Sequence, residues 1–258
     1  MIFLIFLRTK SQNIKNTNPL KKNQKKHYFI ILFGLLLNIL NINSQNNKEI
    51  STYNWFDKNS GKEALDFNNG TGHLNFDKTI DNENRYYITD EFKTGSISYN
   101  DQNYFSLDLK YDIFKDELVF RPYIETTHIQ INLLKEKVDF FKIGNQKFVN
   151  LKLLPHSLKT GYYEETVTGN NSILYIKYYK EKRDIIKDDH FLISYKQNSD
   201  FLLLKDNTFI LINDKKEIIK LYPEQKRKIQ NFFSTNKDLK KDNPGLFMKN
   251  LMKYINNF

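Results

Sequence analysis

Histidines and carboxylates are the side chains of this 258-residue chain that could ligate a metal or transfer a proton. No two histidines have the i, i+4 spacing of a zinc-protease helix, and no histidine is followed by a glutamate. The nearest approach to a ligand set is the run Asp188, Asp189 and His190. Successive residues of a turn or strand point in different directions, so we expect a solvated turn that enters a strand at Phe191. These three residues are weak metal candidates, and no metal or other cofactor is expected.

Nucleophilic catalysis has equally little support. Gly95-Ser96 lies at the start of a predicted strand, and the chain has no G-x-S-x-G elbow, phosphate loop or dinucleotide fingerprint. Carboxylate pairs such as Asp116-Glu117 occur, but an acidic, turn-rich surface supplies such pairs without any chemistry. A hydrolase is therefore the alternative prediction, and it requires His156 or His190 to converge with carboxylates in three dimensions.

Tyrosine doublets are the other feature with a functional interpretation. They lie at residues 86–87, 162–163 and 178–179. Neighbouring residues of a strand face opposite sides, so each doublet is expected to place one ring in the core and one outside. Exposed rings could contact sugars, peptides or lipid tails, and the candidates are Tyr87, Tyr163 and Tyr178. The alternative is that tyrosine is simply a favoured strand residue.

Residues 85–212 are predicted to form the β-body that positions these side chains. Phe105, Leu107, Leu109 and Tyr111 recur at every second position, the period of a half-buried strand. Residues 172–179 are apolar on both faces, as in a strand covered from two sides. Turns are expected at residues 100–101, 115–116, 144–145, 169–171, 197–199 and 206–207. This spacing is typical of antiparallel meanders, in a sheet or half-barrel.

Residues 213–258 change to a helical period. Asn213 is a predicted N-cap, Pro223 restarts a second helix, and Asn243-Pro244 opens a third. The third helix carries an apolar stripe that must pack against the sheet. The fold class is therefore α+β, with antiparallel β-sheet meanders followed by two to three C-terminal amphipathic helices. The last ten residues follow this helical period, which argues against an outer-membrane barrel.

Residues 21–45 have the three parts of a secretory signal peptide. A lysine-rich region precedes a thirteen-residue apolar region at 28–40, and Ser44 is a small residue at a suitable cleavage position. Spanning the hydrocarbon layer takes about 20 apolar residues, so an uncleaved membrane anchor is the less favoured alternative. Residues 1–20 form a doubtful N-terminal extension, and we hypothesise that translation starts near Leu20. Residues 46–84 form a weakly patterned lead-in.

The net charge of +10 is concentrated in the leader. Residues 1–45 contain seven lysines and arginines and no acidic residue, which leaves 33 basic and 30 acidic residues in the remainder. A nucleic-acid partner is therefore not expected. Because the chain has no cysteine, it has neither a disulfide nor the acceptor residue of a lipoprotein anchor.

Three stretches carry a resemblance to a group of exported proteins of Bacteroidetes-type bacteria with no known activity. They are the leader that ends at Ser44-Gln45, residues 88–120 (ITDEFKTGSISYNDQNYFSLDLKYDIFKDELVF), and residues 218–243 (IIKLYPEQKRKIQNFFSTNKDLKKDN) with the helix that follows. The resemblance covers roughly residues 85–258. It implies a secreted or periplasmic α+β protein, and it implies no activity or functional residues.

These observations predict an exported, non-enzymatic binding or interaction module of the cell envelope. Its expected partner is an envelope protein, a glycan or a lipid. The expected location is periplasmic or secreted, and contact with the membrane is expected only through the signal segment if it stays uncleaved.

Overall fold

The computed structural model describes residues 50–55, 69–81, 83–122, 129–169 and 172–256. The predicted extension and signal peptide lie outside these residues, as do His128 and the turn at residues 170–171. The chain divides into two compact units, Met1–Thr52 and Tyr53–Phe258, and the second holds the sheet. Residues 50–55 are helical (α1). No helix in the described part of the chain has the length and apolar character needed to cross a membrane.

The described residues contain eleven strands. They are β1 (Thr71–Gly72), β2 (Lys93–Tyr99), β3 (Gln102–Asp112), β4 (Glu117–Arg121), β5 (Ile131–Asn132), β6 (Val138–Ile143), β7 (Gln146–Leu151), β8 (Gly161–Gly169), β9 (Ser172–Lys187), β10 (His190–Lys205) and β11 (Thr208–Leu211). They form one antiparallel sheet in the order β1-β5-β4-β3-β2-β6-β7-β8-β9-β10-β11. The sheet is not closed, since β1 and β11 are its two edges. The predicted α+β class is confirmed.

Most of the expected turns connect strands. Asn100 and Asp101 both have positive φ, as do Asp206 and Asn207, which is the geometry of two-residue hairpin turns. The expected turn at residues 197–199 is wrong, because these residues continue the ladder between β9 and β10. The polar side chains there suggested a turn, but the cross-strand pairing overrides that local signal. As a result β10 continues without a break from His190 to Lys205 and pairs along its length with β9, which is also 16 residues long.

Four helices follow the sheet, one more than the upper number expected. They are α2 (Lys215–Leu221), α3 (Lys226–Thr235), α4 (Lys237–Asp242) and α5 (Pro244–Asn256). Asn243 caps α5 as predicted, because its Oδ1 accepts a hydrogen bond from the N–H of Leu246 at 2.9 Å. Asn213 is not a helix cap. Its Oδ1 accepts from the N–H of Phe201 at 2.7 Å, so it joins the helices to β10 instead.

The sheet has a core on each face. On the face that packs against α2–α5, which we call the helix face, the aromatic rings of Tyr111, Phe141, Phe148 and Tyr162 meet at 4.9–5.7 Å. On the opposite face Tyr163, Tyr175 and Leu202 form a smaller cluster under the β7–β8 connection. Both clusters bury apolar side chains, which is the main favourable contribution to folding.

Residues 73–92, here called the strap, link strands that are far apart in the sheet. The N–H of Ile80 donates to the carbonyl of Ile193 in β10 at 3.0 Å. Further along, the N–H of Tyr87 donates to the carbonyl of Tyr111 in β3 at 2.8 Å. Strands β3 and β10 are separated by five strands in the sheet order, so the strap connects its two halves.

Candidate functional site

The strap brings several buried or partly buried polar side chains together with the β3–β4 hairpin. We call the group formed by His73, Arg85, Tyr86, Asp112 and Glu117 the Asp112 cluster. Tyr86 forms a β-bridge with Asp112, so both side chains lie on the face of the sheet opposite the helices. Asp112 and Glu117 face each other across the β3–β4 hairpin.

Asp112 is the centre of the cluster. Its side chain is fully buried and forms an ion pair with Arg85, which is only 4% exposed. The other carboxylate oxygen accepts hydrogen bonds from the N–H groups of Phe114 and Lys115, both at 3.1 Å, and so fixes the turn after β3. Burial disfavours the charge on Arg85, but the hydrogen bond and charge of Asp112 more than offset this and raise the pKa of Arg85.

His73 is held in one orientation by two hydrogen bonds. Nδ1 lies 2.7 Å from Asn132 Oδ1, and Nε2 lies 2.9 Å from the Tyr86 hydroxyl. The amide oxygen of Asn132 only accepts, so Nδ1 carries the proton and Nε2 accepts from Tyr86. Burial lowers the pKa of His73 and raises that of Tyr86. The imidazole is therefore neutral at neutral pH, and the lone pair of Nε2 is taken up by the Tyr86 hydroxyl.

The cluster contains the side-chain types that bind transition metals, but these side chains already have other partners or favour a protonated form. One ligand atom each from His73, Asp112 and Glu117 lies within 4.8 Å of the others. However, Arg85 already neutralises Asp112, and Nε2 of His73 is occupied by Tyr86. Burial raises the pKa of Glu117, which favours its protonated form. In this arrangement the cluster anchors the strap, and metal binding would require Arg85 and Tyr86 to move away.

A second buried cluster lies at the same end of the sheet. Asp116 pairs with Lys135 at 2.5 Å and Lys177 at 2.8 Å, and it accepts a hydrogen bond from Tyr111 at 2.6 Å. Burial opposes the charge on Asp116, but Lys177 and then Lys135 outweigh it and lower the pKa of the carboxyl group. Burial lowers the pKa of Lys177. Asp116 therefore joins the β3–β4 turn to β9.

The predicted contact tyrosines are mostly buried. Tyr163 is 2% and Tyr178 is 6% exposed. The expectation that each doublet has one ring outside the core is wrong for residues 162–163, because both faces of the sheet are covered there and Tyr162 is buried as well. The Tyr178 hydroxyl donates to Glu164 at 2.8 Å under α5.

Tyr87 is the half-buried member of this set. It packs against Phe148 and Tyr178, with ring centroids 5.1 and 5.0 Å away, and it borders a cleft of about 60 Å³. That volume is small, since sites for drug-sized ligands occupy about 300–1,000 Å³. Ile88 beside it is 64% exposed and has φ of +64°, a strained conformation for a β-branched residue.

The weak metal candidates lie at the tip of the β9–β10 hairpin. Asp188 and Asp189 form its two-residue turn, with φ of 51° and 61°, and His190 begins β10. All three are exposed. His156 is also exposed, in the β7–β8 connection. The group of histidine and carboxylate side chains that the described residues bring within 4.8 Å of one another contains His73, and it contains neither His156 nor His190.

The outer half of the β9–β10 hairpin forms an arm. Residues 180–187 and 190–197, which we call the hairpin arm, pair with each other, whereas β8 pairs with β9 only up to Ile176. Ile186 and Phe191 face each other across the arm and are 69% and 80% exposed. Two large apolar side chains at paired cross-strand positions and at such exposure form a small apolar patch next to the hairpin turn.

Comparison of the chain with known protein families, curated proteins and solved structures finds no match. Function has to be argued from the geometry alone. Sequence reasoning missed the Asp112 cluster, because His73, Arg85 and Asp112 are far apart in the chain and none carries a motif. The sequence also predicted a strand that begins at Phe191, but not that the partner strand places Ile186 opposite Phe191.

Proposed function

We propose that this protein is an exported, non-enzymatic interaction module that binds an envelope protein through the tip of its hairpin arm. The observation that carries the proposal is the exposed pair Ile186 and Phe191. Exposed apolar side chains that lie next to each other are typical of protein-binding surfaces, and a Phe ring is a frequent anchor at such surfaces. A hairpin arm can present this pair to a pocket of the partner without disturbing the core.

Export and an envelope location belong to the same proposal and are supported by the signal-peptide pattern of residues 21–45. The absence of cysteine supports a form without a lipid anchor, and the nearly balanced charge after residue 45 supports a protein rather than a nucleic-acid partner. N-terminal sequencing of the protein recovered from cells tests this part. A start close to residue 45 is expected, and a chain that retains residues 21–45 would contradict cleavage.

A photo-crosslinking residue in place of Phe191 tests the binding surface in cells. We expect one discrete crosslinked envelope protein, identified by mass spectrometry. The matched control is the same crosslinker at Leu153, which is 92% exposed in the β7–β8 connection and should give no such product. Identical products from both positions would contradict a specific site on the arm.

The purified partner then allows a quantitative test. The double variant Ile186→Ser and Phe191→Ser should bind it at least thirtyfold more weakly, because anchor residues commonly contribute about 2 kcal/mol or more each. The variant should keep its circular dichroism spectrum, since both side chains are exposed. Unchanged affinity in the double variant would refute the proposed binding surface.

The Asp112 cluster supports a second candidate function, a hydrolase whose site forms only in three dimensions. The specific observation is that one ligand atom each of His73, Asp112 and Glu117 lies within 4.8 Å of the others, which brings an imidazole and two carboxyl groups together as acid–base catalysis requires. Nε2 of His73 accepts from Tyr86, so Tyr86 would have to give way to a substrate for His73 to act as the base. Screening the purified protein against ester, peptide and glycoside substrates tests this candidate. The His73→Gln variant keeps a side chain that can form hydrogen bonds but has no basic nitrogen. Loss of turnover in this variant would establish the hydrolase. Turnover that survives the substitution would exclude His73 as the base.

A further inference from the structure

The charges of the folded body are divided unevenly along the chain. Residues 213–258, which we call the helical cap, contain eleven lysines and arginines and only five acidic residues. Residues 46–212 contain 22 basic and 25 acidic residues, so the sheet portion is slightly acidic. Such asymmetry between two parts of one chain indicates a surface that attracts an anionic partner.

Most of the cations of the helical cap are exposed and unpaired. Nine of them are exposed and form no ion pair among the described residues: Lys215, Lys216, Lys220, Lys226, Arg227, Lys237, Lys240, Lys241 and Lys253. Lys249 differs, because it pairs with the buried Glu164 at 2.5 Å and ties α5 to the sheet. The nine exposed cations therefore do not hold the described fold together through ion pairs.

Two of these cations come together from different helices. The ammonium groups of Lys215 in α2 and Lys240 in α4 lie 5.8 and 5.1 Å from the centroid of the same ring, that of Phe233 in α3. The ring contributes a favourable cation–π contact to each. No carboxylate of the described residues pairs with either lysine, so two like charges converge on one spot without a counter-charge.

Exposed apolar side chains accompany the cations. Leu246 and Tyr254 of α5 are 43% and 44% exposed, and Lys253 precedes Tyr254 in the chain. Cations combined with Leu and aromatic residues are typical of surfaces that lie on membranes, where the charges attract anionic head groups and the apolar groups enter the interface. A nucleic-acid site commonly relies on arginine, and the cap has one arginine among its eleven cations.

We propose that the helical cap docks on an anionic phospholipid surface, with Lys215 and Lys240 around Phe233 as the centre of the contact. This surface differs from the tip of the hairpin arm, so the inference does not rest on the proposed function. The two surfaces would let the protein hold a partner protein next to a membrane.

Flotation of the exported protein, recovered from cells without the apolar, cationic leader of residues 21–45, with lipid vesicles tests the proposal. We expect binding to vesicles of phosphatidylcholine and phosphatidylglycerol in equal parts, weak binding to phosphatidylcholine alone, and a decrease as salt rises. The double variant Lys215→Gln and Lys240→Gln should bind the anionic vesicles about thirtyfold more weakly, because each lysine near an anionic surface contributes substantially to affinity.

The matched control is Lys142→Gln and Lys196→Gln, two exposed lysines of the sheet whose loss changes the net charge equally. This variant should bind as the unmodified protein does. An equal loss of affinity in both double variants would show a response to net charge and would overturn the proposed site. Failure to float with anionic vesicles, or tighter binding to a DNA duplex through the same two lysines, would overturn the lipid assignment.

Discussion

Burial determines how strongly the free energy of unfolding depends on the ion pair between Arg85 and Asp112. Both side chains are at least 96% buried, so neither can be solvated if the other is removed. The pair between Arg121 and Asp108 has the same chemistry, with the two side chains 50% and 30% exposed. The two pairs lie on the same face of β3, so a comparison of variants that break each pair measures the effect of burial.

We expect Arg85→Met to lower the free energy of unfolding by about 3–5 kcal/mol, because it leaves the Asp112 carboxylate buried and uncompensated. Arg121→Met is the control and should cost less than about 1 kcal/mol, since water and salt screen an exposed pair. Urea denaturation of the two variants measures both values. Equal effects would show that Asp112 is solvated when Arg85 is absent.

At the scale of elements, the junction between the β3–β4 turn and β8 depends on one glycine. Gly161 has φ of +119°, and a Cβ there would lie 2.0 Å from Asp116 Oδ2 and 2.8 Å from Lys177 Nζ. The missing side chain leaves room for the Asp116 pairs that join the turn to β9.

Gly161→Ala should therefore destabilise the protein by about 1–3 kcal/mol through backbone strain, and by more where Asp116 is displaced. Gly72→Ala is the control, because a Cβ at that position meets nothing within 4 Å. Thermal unfolding of the two variants compares them. A melting temperature for Gly161→Ala that equals that of the control would contradict a tight junction.

Strand patterns predicted the elements better than they predicted the contacts between them. The alternation at residues 105–111 predicts β3, and the two-faced apolar run at 172–179 predicts a central strand, which β9 is. Both signals are local. The hairpin arm was missed because pairing with a partner strand extends β10 through residues 197–199, whose side chains alone favour a turn.

At the scale of the whole molecule, the candidate site could not be predicted because it depends on how the strap crosses the sheet. Tyr86 meets Asp112 through backbone pairing between segments without a shared motif. By contrast, the charge of the helical cap is a property of composition. The positive charge of residues 213–258 is visible when the charges of each predicted segment are counted separately. A single total for residues 46–258 conceals it, because the sheet portion is slightly acidic.

Acid should lower the free energy of unfolding in two stages, and the protonation of His73 causes the first. Its ordinary pKa of 6.5 applies in the unfolded chain, and burial lowers the pKa in the folded protein. Below pH 6.5 the unfolded state therefore binds more protons, and stability falls with pH until the folded pKa is passed. Asp116, whose folded pKa lies below its ordinary 3.8, adds a second loss below that pH.

Urea denaturation from about pH 2.5 to 7.5 covers both stages, and the first has a predicted slope of up to about 1.4 kcal/mol per pH unit below pH 6.5. His73→Gln removes the titrating group, so this slope should flatten while the loss below pH 3.8 persists. Glu117 acts in the opposite sense, because burial raises its folded pKa above 4.5 and its contribution falls as pH rises. His156→Gln is the matched control, because it removes an exposed histidine that lies outside the Asp112 cluster. Equal slopes in the His73→Gln variant and the unmodified protein would show that folding does not lower the pKa of His73.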